Sequence, residues 1–154
     1  MTGCTISESR AKGIPALSNI ITGSCHCDNV AYEISTKTPL ADITARSCDC
    51  RFCRMHAAQT WSDPAGSATI RINHPNELQK YRFALQTADF FVCRTCGAYI
   101  GAVMSESGKH WSTLNLRLSG LNPATISASY GHEEAPNRIL RRQRHWTPTN
   151  IDGH

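Results

Sequence analysis

The chain has no long hydrophobic run. No apolar stretch approaches the roughly 18 residues that a membrane-crossing helix requires, so nothing in it reads as a transmembrane segment. The opening residues, MTGCTISESRAKG, are polar and contain no hydrophobic region of the kind a secretory signal carries. Aromatic residues are scarce at 7% and charged residues modest at 18%, against 40% apolar residues. That balance excludes both a disordered chain and a membrane protein. No repeat, linker or low-complexity segment breaks the sequence, and 154 residues fit one domain with its own core. The expected organisation is a lead-in over residues 1–18 and a single domain over 19–150, in a cytoplasmic protein.

What the chain does have is cysteine, eight in all. They fall as C-x-C at Cys25 and Cys27, C-x-C-x-x-C at Cys48, Cys50 and Cys53, and C-x-x-C at Cys93 and Cys96, with Cys4 apart. Half-cystines this close bridge one another only with strain. With no export signal, a reduced compartment and metal binding fit better than disulfides. The formal net charge is +4; seven thiolates remove seven charges and two Zn²⁺ return four, leaving +1. The basic excess is then balanced locally, and binding to nucleic acid is not favoured.

Alternating or β-rich stretches at 29–35, 68–72, 78–84, 89–93, 98–104 and 125–131 predict strands, separated by turn sequences such as SDPAGS and NHPN. Residues 135–146, APNRILRRQRHW, predict a C-terminal helix with Pro136 near its start and Ile139, Leu140 and Trp146 facing inward. A shorter helical turn is expected after Cys53. The fold class is mainly β, with zinc-stapled antiparallel sheets, short helices and one C-terminal helix.

On a strand, residues i and i+2 share a face, so Cys25 and Cys27 can lean together as half a tetrahedral site while His26 points away. Cys93 and Cys96 form a tight knuckle, and Gly97 can complete the turn at positive φ. Joined, these half-sites make a closed four-thiolate site that contributes to folding. The triplet Cys48, Cys50, Cys53 supplies three ligands, and three protein ligands with an exchangeable fourth is the usual catalytic zinc arrangement. Cys4 or His56 can also close that site and make it structural. Spacing alone further admits Cys25 and Cys27 pairing with two members of the triplet, and iron in place of zinc.

The segments GSCHCDNVAYEI (23–34), CDCRFC (48–53) and FFVCRTCGAYI (90–100), with the tail NRILRRQRHWTP (137–148), resemble the glutathione-dependent formaldehyde-activating enzyme family, which includes centromere protein V. The resemblance implies a structural zinc on Cys25, Cys27, Cys93 and Cys96. It also implies a catalytic zinc on Cys48, Cys50 and Cys53. The implied activity is that of a carbon–sulfur lyase or synthase acting on a glutathione adduct of formaldehyde or another small aldehyde.

Arg51 and Arg54, next to the triplet, are candidates to offset its charge or to meet a glutathione carboxylate. His56 is a candidate proton shuttle, and Trp61 and Trp111 are candidate pocket walls or core residues. The basic stretch RILRRQRHW reads as a solvated or partner-facing surface. Two other functions remain: a zinc-stapled binding module contacting protein or nucleic acid without catalysis, and a redox sensor whose triplet oxidises.

Overall fold

The period-two pattern of VAYEIST places Val30, Tyr32, Ile34 and Thr36 on one face of strand β2 (Val30–Thr36), and all four are buried. The same logic buries Ala68, Ile70 and Ile72 of β5 (Ser67–Ile72), the antiparallel neighbour of β2. The computed structural model describes residues 18–153. Within it, β1 (Asn19–Ser24) pairs with β2, and β11 (Thr147–Asp152) runs parallel to β5.

β9 (Lys109–Asn115) organises the rest. One edge pairs along its length with β8 (Tyr99–Glu106). Its other edge is shared between β11 and the short β4 (Thr60–Trp61). β4 leads on to β3 (Thr44–Cys48) and then to β10 (Ala124–Ala128), which is parallel to β3. β8 continues to β7 (Asp89–Cys93) and β6 (Leu78–Tyr81). The architecture is mainly β and mostly antiparallel, with one C-terminal helix, α2 (Ala135–His145), and a one-turn helix, α1 (Arg51–Met55). The pairs β3–β10 and β5–β11 are the parallel exceptions. The sheet curls so that the β1–β2 and β7–β8 ends meet around one core containing Ile21, Val30, Phe91, Ile100 and Leu114.

Several expectations shift. The strand predicted at 78–84 ends at Tyr81, because Ala84 and Gln86 take φ of 52° and 54°, outside strand geometry. The helical turn expected after Cys53 begins before it, at Arg51. Leu140 is not inward-facing but 49% exposed, whereas Ile139 packs against Ala102, Met104 and Trp146. Strands β1, β3, β9 and β11 carried no readable pattern. In β9 the reason is physical. Ser112, Thr113 and Asn115 are buried polar residues, and the sheet satisfies them: Ser112 Oγ pairs with Thr149 Oγ1 at 2.7 Å, and Asn115 Nδ2 donates to the Tyr99 carbonyl at 2.9 Å. β11 holds Pro148 and Asn150, which read locally as turn residues.

Gly101, in β8 opposite Leu114, is required by close packing. A Cβ there would lie 2.4 Å from the Thr113 carbonyl oxygen, a backbone atom that cannot rotate away. Gly101→Ala is expected to destabilise the protein by about 1–3 kcal/mol, read as a lower urea midpoint with an unchanged slope.

Candidate metal centres and cavity

The β1–β2 connection and the β7–β8 connection bring four thiols together. Cys25 and Cys27 sit in the turn after β1 rather than on a strand. Cys25 Sγ accepts the Val30 N–H at 3.3 Å, and the Asp28 N–H closes the turn onto the Cys25 carbonyl at 2.9 Å. Cys93 ends β7, and the Gly97 N–H bonds back to its carbonyl at 2.9 Å, with Gly97 at φ 76° as the C-x-x-C-G spacing predicts. The sulfurs of Cys25, Cys27, Cys93 and Cys96 lie within 4.8 Å of one another; Cys25–Cys27 is 3.7 Å and Cys27–Cys93 is 3.5 Å. Two thiolates on one tetrahedral zinc stand about 3.8 Å apart, so the donor set fits a metal ion. His26 is exposed beside it.

Cys48, Cys50 and Cys53 form the second group, again with sulfurs within 4.8 Å of each other. Cys48 ends β3. Cys50 caps α1, its sulfur accepting the Cys53 N–H at 3.4 Å, and Cys53 is buried in the helix. The Cys53 thiol donates toward Cys48, holding Cys48 down at about 6 and pushing Cys53 far up. A soft, all-sulfur donor set of this kind suits zinc.

Among the described residues no histidine or carboxylate joins this triplet as a fourth ligand. The His56 ring instead packs against Phe52 and Tyr99, with centroids 4.5 and 5.5 Å away. Cys4 lies outside the described residues.

The triplet lines a cavity of about 410 Å³. Although aromatics are few, Phe83, Phe90 and Tyr99 line the cavity, and Phe52, packed in the cluster that contains the triplet, has its ring 5.0–5.3 Å from all three. They make an apolar bed beneath the thiols, in which charges interact more strongly than in water. Tyr99 lines the cavity, and burial holds its phenol protonated well above the usual range.

Arg51 and Arg54 are exposed and do not line the cavity. Neither Trp61, in the core, nor Trp111, packed near Met104, lines it; Trp146 does. The cationic wall comes from elsewhere: Arg46 on β3, and Arg138, Arg141 and Arg142 on α2. The stretch read as a solvated basic surface therefore turns partly inward. Two signals in the sequence pointed to this. Arg46 lies two residues before Cys48 on one strand, and Arg138, Arg141 and Arg142 recur at i, i+3 and i+4. Arg46 Nη2 donates to Ser62 Oγ, which donates in turn to the His145 carbonyl at 2.8 Å, tying β3 to the last turn of α2.

A mainly β domain with one four-thiol and one three-thiol cluster, the latter open to a cavity, has two cysteine clusters that could each hold a metal ion. The model of the glutathione-dependent formaldehyde-activating enzyme family matches residues 20–125, and the chain belongs to that family. It is also similar to a Rhodobacter sphaeroides protein of known crystal structure, at 28% identity and a TM-score of 0.54, over 70% of this chain and 100% of that one. No curated protein matches the chain. No described helix is long and apolar enough to cross a membrane.

Proposed function

We propose that this protein makes and breaks the carbon–sulfur bond of an adduct between a thiol, such as glutathione, and a small aldehyde, such as formaldehyde, and that both its centres hold zinc. Cys25, Cys27, Cys93 and Cys96 would hold a structural ion, and Cys48, Cys50 and Cys53 a catalytic one. The observation that carries the reading is the three-thiol cluster exposed to a cavity of about 410 Å³ with no fourth ligand among the described residues. A zinc ion held there supplies Lewis-acid stabilisation of negative charge and favours the thiolate form of a bound thiol.

In the synthetic direction the thiol sulfur adds to the carbonyl carbon. The C–S bond forms, the carbonyl π pair moves to oxygen, and that oxygen takes up the proton the thiol released. The reverse reaction returns all three, with no change of oxidation state overall. The side chains around the triplet serve that step. Phe52, Phe83 and Phe90 keep water from the reacting atoms, and the Tyr99 phenol, neutral in its buried position, is a hydrogen-bond donor for the oxygen that gains charge. The α2 arginines make the wall attractive to an anionic thiol.

The test is exchange spectroscopy by NMR on mixtures of glutathione and formaldehyde. Catalytic amounts of the protein are expected to accelerate exchange between free formaldehyde hydrate and the S-hydroxymethyl adduct. Unchanged exchange across a panel of thiols and aldehydes would overturn this reading in favour of a non-catalytic binding module.

A further inference from the structure

Arg142 is 6% exposed, and its guanidinium stacks 4.6 Å over the Trp146 ring. Its Nη1 donates to Thr87 Oγ1 at 2.7 Å, but its Nε–H has no acceptor among the described residues. One helical turn earlier, Arg138 also leaves its Nε–H unmatched, while its Nη2 donates to the Tyr130 carbonyl. Buried N–H groups without acceptors are rare in folded proteins, and a buried cation without a counter-ion is rarer.

No carboxylate among the described residues pairs with either arginine. Glu133, just before α2, is engaged by Arg141 at 2.8 Å, and Asp89 by Arg82. Among the described residues Asp49 is the only acid lining the cavity, against four lining arginines. Burial and the neighbouring arginines draw the Arg142 pKa down to about 10, which still leaves a full cation at neutral pH. The residues lie at i and i+4, so they share one face of α2, and both line the cavity that contains Cys48, Cys50 and Cys53.

We propose that Arg142 and Arg138 form a carboxylate clamp, and that the substrate of this protein carries a carboxylate that supplies the missing acceptor. Stacking on Trp146 leaves the edge of the Arg142 fork to meet a ligand, and a planar two-oxygen group fits that edge. The direction of the substrate, with carboxylate toward α2 and reacting carbon toward the thiols, rests on the proposed function; the clamp itself does not. The clamp residues also lie beyond the segment that the family match covers.

The carboxylate can belong to the thiol or to the aldehyde, and unreactive probes separate the two. S-methylglutathione and its diethyl ester report on the thiol side, and glycolate and glycolamide on the aldehyde side. Binding to the metal-replete full chain is measured by calorimetry, and no probe can undergo the carbon–sulfur reaction, so a result here is independent of whether the protein catalyses it. In at least one pair the carboxylate is expected to bind about tenfold or more tightly than its neutral partner; the pair that discriminates identifies the source. Arg138→Gln and Arg142→Gln are each expected to bring the two members of that pair to equal affinity, with the Arg Nε–H resonances of the wild type shifting on binding. Arg138 is only half-buried, so its variant keeps the test valid should the Arg142 variant fold poorly. Equal affinity within both pairs, no binding of either carboxylate, or discrimination that survives in the folded variants overturns the proposal.

Discussion

Cys93→Ala is expected to unfold the protein at room temperature, with loss of amide dispersion in NMR spectra and of at least one bound metal ion per chain. Cys93 is fully buried, and its sulfur lies 3.5 Å from that of Cys27, 66 residues away. The four-thiol centre joins the β1–β2 turn to the β7–β8 turn, at opposite ends of the hydrogen-bonding path β1-β2-β5-β11-β9-β8-β7. Nothing in the ladder itself holds those ends together. Structural zinc contributes about 10–16 kcal/mol of apparent binding energy, whereas a domain of this size is stable by about 5–15 kcal/mol. Losing one thiolate of four therefore removes an amount comparable to the whole margin. A folded Cys93→Ala protein with full metal content would show that the centre is not structural.

The opposite pattern is expected for Cys50→Ala: a folded protein lacking one metal ion and unable to accelerate thiol–aldehyde exchange. Cys50 is half-buried, and its structural work is to cap a one-turn helix, worth about 1 kcal/mol. Its proposed chemical work is larger. Losing several kcal/mol of charge stabilisation lowers the rate about a thousandfold, or to the uncatalysed background. Metal analysis, circular dichroism and NMR exchange on one sample check all three parts. If this variant kept both its metal and its activity, the triplet would not be the reacting centre. If it unfolded like Cys93→Ala, both centres would be structural.

These contrasting outcomes reflect how differently the two centres are embedded. Cys25 and Cys93 of the four-thiol group are buried in the main core with Val30, Phe91 and Ile100, Cys96 packs against that core, and Cys27 is exposed at its edge. The triplet belongs to a smaller cluster with Ala58 and Tyr99 that borders the cavity.

Much of the metal chemistry was legible because it is local. C-x-x-C-G determines its own turn through a few dihedral angles, and Gly97 adopts the positive φ that the spacing requires. The C-x-C pair reached the right sulfur spacing by a route other than the expected one, a turn after β1 instead of a continuing strand. The strands with alternating apolar residues, β2 and β5, were readable for the same reason. β9 was not, because its buried face is polar, and only partners on β8 and β11 make that face affordable.

The arginines show the limit most clearly. Beside three cysteines, Arg51 and Arg54 looked like the cations of the site, yet α1 directs them to solvent. Arg142 lies 89 positions beyond Cys53 in the chain and packs on Thr87, 55 positions before it. The amino-acid sequence by itself determined which cysteines cluster, the turn from Cys93 to Gly97 and the family. Tertiary structure alone decided that α2 folds over the triplet and turns its arginines inward. A ligand pair three residues apart is set by the chain between them, but the surroundings of a buried charge are set by whatever the rest of the fold packs against it.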